Sequence, residues 1–118
     1  MIRFISCIKR RDDISLEEFR RHWESGTFGE IQGRMAAALG ASRYARSVTL
    51  VVEANRLILE ERGLAEPFDG IIEYWWDSAR DVMRLAESPE GQSARNAMLE
   101  FQRQFVDFTQ SRAFFTDA

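Results

Sequence analysis

The pattern of apolar and polar positions changes from strand spacing to helix spacing near the start of the chain. Residues 2–9 are rich in β-branched and aromatic side chains and end in a charged cluster, which predicts a strand followed by a turn. Ser15 and Glu18 have the spacing of a capping box, so a helix is expected to start at Ser15. Three apolar residues then recur on one face of that helix: Leu16, Phe19 and Trp23.

The middle of the chain predicts a second helical piece and a second strand. The apolar residues Ile31, Met35 and Leu39 keep helical spacing until Gly40. Residues 43–52 alternate and then become apolar, as in a strand. Residues 54–64 are expected to form a short helix or an ordered loop with apolar anchors at Leu57, Ile58 and Leu64, and Pro67 ends any helix there.

A third strand, Ile71–Trp76, is apolar on both faces, so it should lie at the centre of a sheet that is covered on both sides. Within it, Trp75 and Trp76 must point to opposite faces. A helix capped by Asp77 or Ser78 is predicted through Ala86.

Ser88 and Pro89 mark the start of a last helix, since proline is well suited to the first helical position. Its apolar residues fall in one narrow stripe that should lie on a sheet: Ala94, Ala97, Met98, Phe101, Phe105 and Phe108. Residues 111–115 complete the chain as a final short strand.

The element order is β-α-β, an inserted helical piece and then β-α-β. This order predicts an α+β, ferredoxin-like fold, in which four antiparallel strands carry helices on one face, as a single domain over residues 1–118. The other face would leave apolar side chains in water, and an exposed apolar surface of that size usually marks an interface. Two sheets packed face to face, forming a dimeric α/β barrel, would cover it, so we expect a homodimer.

Composition and charge exclude several classes of function. The net charge is −3 and acidic and basic residues are interleaved, so the chain lacks the basic stripe of a nucleic-acid-binding protein. With one cysteine, Cys7, and one histidine, an intrachain disulfide is impossible and a structural zinc site is not expected. The start of the chain lacks the pattern of a signal peptide, and no membrane partner is expected. These features predict a cytoplasmic protein.

Several segments resemble the EthD-like family of the dimeric α/β-barrel superfamily, and the resemblance spans nearly the whole chain. It is carried by an opening strand and by six short stretches: residues 16–23 (LEEFRRHW), Arg43-Tyr44, residues 69–78 (DGIIEYWWDS), residues 88–91 (SPEG), residues 105–107 and residues 111–114. Each stretch is short, and their order and spacing together make the resemblance fairly specific.

The resemblance implies homodimers and, in relatives, cofactor-free chemistry on hydrophobic, often aromatic or polyketide-like molecules. The reactions include monooxygenation, cyclisation, dehydration, decarboxylation and isomerisation. Relatives usually carry a histidine shortly after the helix tryptophan and often another near the end of the second strand. This chain has Thr27 at the first place and Val48 or Thr49 at the second. Any acid–base chemistry therefore falls to other residues.

Three residues are the candidates for catalysis. His22 is the only imidazole and is the natural general base, although a half-exposed surface histidine is the alternative. Glu73 lies among apolar neighbours and must have either a basic partner or a catalytic task. Tyr44 can donate a hydrogen bond to a carbonyl or enolate oxygen, or it can be a core tyrosine with a satisfied hydroxyl.

Aromatic side chains are the candidates for substrate binding, because flat walls suit an aromatic ligand as well as they suit plain packing. They are Phe19, Trp23, Tyr74, Trp75 and Trp76. No motif for a nucleotide, a metal or a nucleophilic serine is found, so no cofactor is expected. The sequence predicts a cofactor-independent enzyme with a hydrophobic substrate, or else a binding or accessory protein for such a molecule.

Overall fold

The computed structural model describes all residues from 1 to 118 as one four-stranded sheet with five helices. The strands are β1 (Ile2–Ile8), β2 (Arg43–Val48), β3 (Gly70–Trp76) and β4 (Arg112–Asp117). The helices are α1 (Leu16–Trp23), α2 (Gly26–Leu39), α3 (Glu53–Arg62), α4 (Val82–Glu87) and α5 (Pro89–Gln102). None of these helices combines the length and the apolar character that a membrane span requires.

The strands form an antiparallel sheet in the order β2-β3-β1-β4. Phe4 pairs with Tyr74 on one side and with Phe115 on the other, which fixes the register of the three strands. This order confirms the ferredoxin-like fold, and β3 occupies a central position as its apolar sequence predicts. Tyr74 and Trp76 lie on the face that the helices cover, and Trp75 lies on the opposite face.

Serine caps set the starts of three helices. The hydroxyl oxygens of Ser15, Ser25 and Ser88 each accept a hydrogen bond from a backbone N–H in the first turn, at 3.0, 3.2 and 3.0 Å. Such caps satisfy N–H groups that have no partner within the helix. The Ser25 cap explains why α2 begins at Gly26, earlier than the periodicity from Ile31 indicated.

Several predicted boundaries differ from the structure, and β4, for example, spans Arg112–Asp117 instead of residues 111–115. β2 ends at Val48 instead of residue 52, and α4 begins at Val82, because residues 77–81 form turns. The predicted apolar stripe continues to Phe105 and Phe108, but helix α5 ends at Gln102. Phe105 is nevertheless fully buried, reached by a turn rather than by a helix.

The core lies between the covered sheet face and helices α1, α2 and α5. Its aromatic centre joins Phe19, Trp23, Phe28 and Phe105 through ring contacts with centroids 5.3–5.7 Å apart. Trp76 contributes from β3 and donates its indole N–H to the carbonyl oxygen of Leu39 at 2.8 Å. Since aromatic side chains bury large apolar areas, this cluster is a main source of stability.

The opposite face of the sheet, here called the open face, is covered by no helix. It carries the apolar side chains Ile5, Ala45, Ile71, Trp75 and Phe114 together with Arg3, Cys7, Arg43 and Glu73. Phe114 is 49% exposed and Ile71 is 37% exposed. An apolar sheet face in water is costly, which supports the predicted pairing of two sheets.

Gly91 sits where helix α5 passes the end of α4, and a side chain there would collide with the backbone. A Cβ atom at Gly91 would overlap the carbonyl oxygen of Leu85, whereas one at Gly26 would meet nothing within 4 Å. We expect Gly91→Ala to lower the free energy of unfolding by about 2 kcal/mol, because overpacked sites cost roughly 1–3 kcal/mol. Gly26→Ala, the matched control, should leave it unchanged or slightly higher. Urea unfolding followed by tryptophan fluorescence tests both, and equal stability of the two variants would contradict the expected collision.

Candidate functional site

A cavity of about 420 Å³ lies between the covered sheet face and helix α5. Strands β1, β3 and β4 form its floor, α5 forms one wall, and Met35 of α2 closes one side. Nine of its fourteen lining residues are hydrophobic, among them Phe4, Ile72, Met98 and Phe108. A concave, largely apolar site of this size with a few polar groups is typical of small-molecule binding.

Tyr74 is the most informative residue in the cavity wall. It is only 1% exposed, and its hydroxyl is buried without a hydrogen-bond partner within the chain. Burial raises the pKa of this phenol well above its ordinary value near 10, the Tyr44 ring raises it further, and Arg46 offsets part of the change. Tyr74 therefore stays protonated at neutral pH, where it can donate a hydrogen bond but cannot act as a base.

Gln102 is a second polar group in the cavity wall. It lies at the end of α5, lines the cavity and is 6% exposed, and its side-chain amide makes no hydrogen bond within the chain. The Tyr74 hydroxyl is fully buried without a partner, whereas the Gln102 amide keeps slight exposure, and both have hydrogen-bonding capacity left for an oxygen-bearing ligand. Ser111, by contrast, already donates its hydroxyl to the Asp107 carbonyl and accepts the Lys9 N–H.

Two arginines complete the polar lining. Arg95 lies on α5 and donates from Nε and Nη2 to the carbonyl oxygen of Ala86, at 3.2 and 2.8 Å. Arg112, at the start of β4, is exposed, donates to the carbonyl oxygen of Ser111 and pairs with Cys7, so its side chain turns toward the open face and only its position borders the cavity. The fourteen lining residues include no aspartate, glutamate or histidine. The cavity thus offers hydrogen-bond donors and positive charge.

Of the three predicted catalytic residues, Tyr44 is nearest to this site. Its ring lies 6.4 Å from that of Tyr74, on the same sheet face, but it is 47% exposed and belongs to the edge strand β2. Tyr44 is therefore a neighbour of the cavity wall rather than part of it. The hydroxyl that meets the requirement for an oxygen donor is that of Tyr74.

His22 and Glu73 lie at two other places. The imidazole of His22 stacks on Phe105, with ring centroids 5.2 Å apart, and meets the edge of Phe101. Glu73 points to the open face, where Arg3 lies 3.4 Å from its carboxylate. The fold therefore separates the three predicted catalytic residues within one chain, and their shared catalytic role stays a prediction.

The five aromatic residues predicted to bind substrate also lie at different places in the fold. Of the five residues, only Tyr74 lines the cavity. Phe19, Trp23 and Trp76 are buried in the core, and Trp75 lies on the open face beneath the Arg43 guanidinium, 3.8 Å from its ring centroid. For these four the contacts are those of packing within the chain.

Neither Cys7 nor a cluster of metal-ligating side chains forms a second site. Burial, followed by the charge of Glu73, raises the pKa of the Cys7 thiol, which disfavours the reactive thiolate. No group of three or more histidine, cysteine, aspartate or glutamate side chains is placed to hold a metal ion.

The sequence of α5 carries a signal for the cavity that does not depend on acid–base residues. Arg95, Met98, Leu99 and Gln102 stand at i, i+3, i+4 and i+7, which places them on one face of α5. This face mixes two polar groups into an otherwise apolar stripe. Such a mixture is expected for a helix that lines a ligand cavity.

The fold and the cavity define the class of this protein: a ferredoxin-like α+β domain with an apolar site between its sheet and its last helix. The family model described as the EthD domain matches residues 11–109. The chain therefore belongs to the EthD family.

Solved structures share the fold at low sequence identity. An EthD family protein from Bacillus halodurans is 12% identical, with a TM-score of 0.64 over 100% of this chain and 98% of that one. A dimeric protein of unknown function and ferredoxin-like fold from Bacteroides fragilis is 15% identical, with a TM-score of 0.62 over 99% and 95%. A variant of SnoaB, a cofactor-independent oxygenase from Streptomyces nogalater, is 12% identical, with a TM-score of 0.58 over 99% and 91%. No curated protein matches the sequence.

Proposed function

We propose that this protein is a cofactor-independent enzyme that acts on a hydrophobic, aromatic or polyketide-like molecule bound between the sheet and α5. The observation that carries the proposal is the buried Tyr74 hydroxyl, which lines the apolar cavity and has no partner. A donor of this kind is costly unless a ligand oxygen accepts from it. The likeness in fold to a cofactor-independent oxygenase supports the same conclusion.

The chemistry follows from what the cavity contains. Tyr74 can hold a carbonyl oxygen and stabilise the negative charge that develops on it when the neighbouring carbon loses a proton. Since the lining has no carboxylate or imidazole, the substrate must be acidic enough to ionise in a site that favours its anion. In an oxygenation, O₂ would accept electrons from that anion, so that an activated CH₂ becomes a carbonyl and the second oxygen atom leaves as water. No step is assigned to His22 or Glu73, which lie away from the cavity.

Turnover of an anthrone, an enolisable aromatic compound, tests the proposal. We expect the wild-type protein to convert 1,8-dihydroxyanthrone to the anthraquinone in air faster than the uncatalysed reaction, as measured by absorbance and mass spectrometry. Ala113→Trp should abolish the excess rate by filling the cavity, because Ala113 lines it from β4. Ala54→Trp, on the exposed face of α3, is the matched control and should keep the full rate. A rate that Ala113→Trp leaves intact would exclude the cavity as the active site.

A second candidate function is capture of the same kind of molecule without conversion, as a binding or accessory protein. The absence of a carboxylate, imidazole or thiol from the cavity lining favours it. It predicts saturable quenching of tryptophan fluorescence by the anthrone, sensitive to Ala113→Trp, with no product after long incubation. Detection of product above the uncatalysed rate would decide for the enzyme.

The proposal includes a homodimer and a cytoplasmic location. The uncovered apolar side chains of the open face and the dimeric description of the Bacteroides fragilis protein support the dimer. The free thiol of Cys7 suits a reducing compartment.

A further inference from the structure

We propose that the cavity selects aromatic molecules that carry a negative charge, either a carboxylate or an ionised enol, and that Arg95 provides the main recognition. This inference rests on the proposed function and names the class of substrate. The first observation that supports the inference is the charge of the residues that line the cavity. Arg95 is the one charged residue that α5 contributes to the lining, and no acidic residue accompanies it; Arg112 touches the cavity at the start of β4, where its pairing with Cys7 turns its side chain toward the open face.

Neither guanidinium has a counter-ion. The ion pairs of the chain involve other arginines and Lys9, so no carboxylate lies within 4 Å of Arg95 or Arg112. Arg95 is half-buried in an apolar wall, where a charge without a partner is unfavourable. An anionic ligand would offset that cost.

The guanidinium of Arg95 also has free donors. A guanidinium carries five N–H groups. Nε and Nη2 of Arg95 each direct one of them to the Ala86 carbonyl oxygen, which leaves the Nη1 group unbonded within the chain. The carbonyl fixes the side chain in place, so its remaining donors are oriented before a ligand arrives. Guanidinium groups bind carboxylate and similar planar anions more strongly than neutral oxygens.

Along α5 the charged group that would bind an anion lies apart from the neutral groups that would bind a carbonyl. Arg95 and Gln102 are seven residues apart on one helix face, which corresponds to about 10 Å along the helix axis. Gln102 and Tyr74 offer neutral donors to a carbonyl, and apolar Met98 and Leu99 lie between the two polar positions. This spacing suits a flat molecule of two or three fused rings with an anionic oxygen near one end and a neutral carbonyl further along.

Two pairs of probes that differ mainly in charge test the inference. The carboxylate pair is 2-naphthoate and 2-naphthamide, and the enol pair is 2-hydroxy-1,4-naphthoquinone, which is ionised at neutral pH, and its 2-methoxy analogue. Binding is measured by isothermal titration calorimetry at low ionic strength. We expect the anion of at least one pair to bind at least about tenfold more tightly than its neutral partner, the effect of one charged hydrogen bond. The pair that shows the preference identifies the source of the charge.

Variants locate the preference in the cavity. Arg95→Met should remove most of it, Arg95→Lys should retain part of it, and Arg112→Met should weaken it less, since Arg112 is exposed. Arg21→Met is the matched control, because it removes one positive charge from the exposed surface of α1. If Arg95→Met lowers stability, as judged by thermal unfolding, the Arg95→Lys variant still reports whether a cation at this position sets the preference.

The outcomes separate this inference from the proposed function. Equal binding of anion and neutral partner in the wild type would overturn the inference and leave an apolar substrate site intact. An anion preference that Arg95→Met and Arg95→Lys both leave unchanged would also overturn it. An anion preference lost in Arg95→Met would support it, even if no aromatic compound were converted and the enzymatic proposal failed. Binding of none of the four probes would count against both.

Discussion

Tyr74→Phe is expected to reduce kcat/KM for an enolisable aromatic substrate by about 10²- to 10³-fold, the usual effect of removing one donor to a developing oxyanion. The same change should leave the free energy of unfolding unchanged or raise it by up to about 1 kcal/mol. The reason is that phenylalanine keeps the buried ring and removes a hydroxyl that has no partner in the chain. Steady-state kinetics and urea unfolding measure the two effects.

This combination distinguishes a functional hydroxyl from a structural one. A structural hydroxyl would be bonded within the chain, and its loss would lower stability. Tyr44→Phe is the matched control, because Tyr44 stacks on Tyr74 but is half-exposed at the edge of the sheet. It should change kcat/KM by less than about threefold, well under about 1.4 kcal/mol of barrier, because Tyr44 does not line the cavity. Loss of activity in Tyr44→Phe but not in Tyr74→Phe would restore the role predicted for Tyr44 from the sequence.

Phe114→Glu is expected to convert the proposed dimer to a monomer. Phe114 projects from β4 onto the open face beside Ile5, and the Ile5 position also neighbours the Glu73 carboxylate. A second carboxylate there would be buried in the predicted interface without a partner, at a cost of several kcal/mol. We therefore expect the dissociation constant of the dimer to rise by more than about 100-fold. Light scattering on a sizing column gives the mass, which for the monomer is 13.7 kDa.

The control for this change is Met83→Glu, which introduces the same charge at an exposed apolar position on α4, away from the open face. It should remain dimeric, with a mass twice that of one chain. Circular dichroism should show that both variants keep their secondary structure. A Phe114→Glu variant that stays dimeric would mean that the two chains associate through another surface.

Local signals account for most of what the sequence predicted about the fold. The Ser15 and Ser88 caps and the two-faced apolar run of β3 each depend on neighbouring residues, and all three appear in the structure. The errors arose where tertiary contacts overrule spacing. Phe105 and Phe108 continue the helical stripe in sequence, but the chain turns after Gln102 to return to the sheet, with Val106 bridging to Arg10.

The site was harder to predict, because its chemistry depends on which side of the sheet each residue faces and on what lies opposite. Glu73 and Tyr74 are adjacent in sequence, yet one pairs with Arg3 on the open face and the other enters the cavity. Strand alternation predicts that the two side chains lie on opposite faces of the sheet. It does not predict which of the two faces carries a cavity. The missing hydrogen bonds of Tyr74 and Gln102 are likewise invisible until the fold brings every possible partner into place.

Helix α3 has no buried residue, and its fixed contacts are largely its own ion pairs from Arg56 to Glu53 and Glu60. The strands on either side of it, β2 and β3, are held to each other by six residue pairs, none of which involves the helix. The segment between them can therefore change in length at small entropic expense, since closing a longer loop costs only slightly more. For the experimenter, this makes the turn at Gly63 a convenient place to insert a peptide tag or a spectroscopic label without disturbing the cavity.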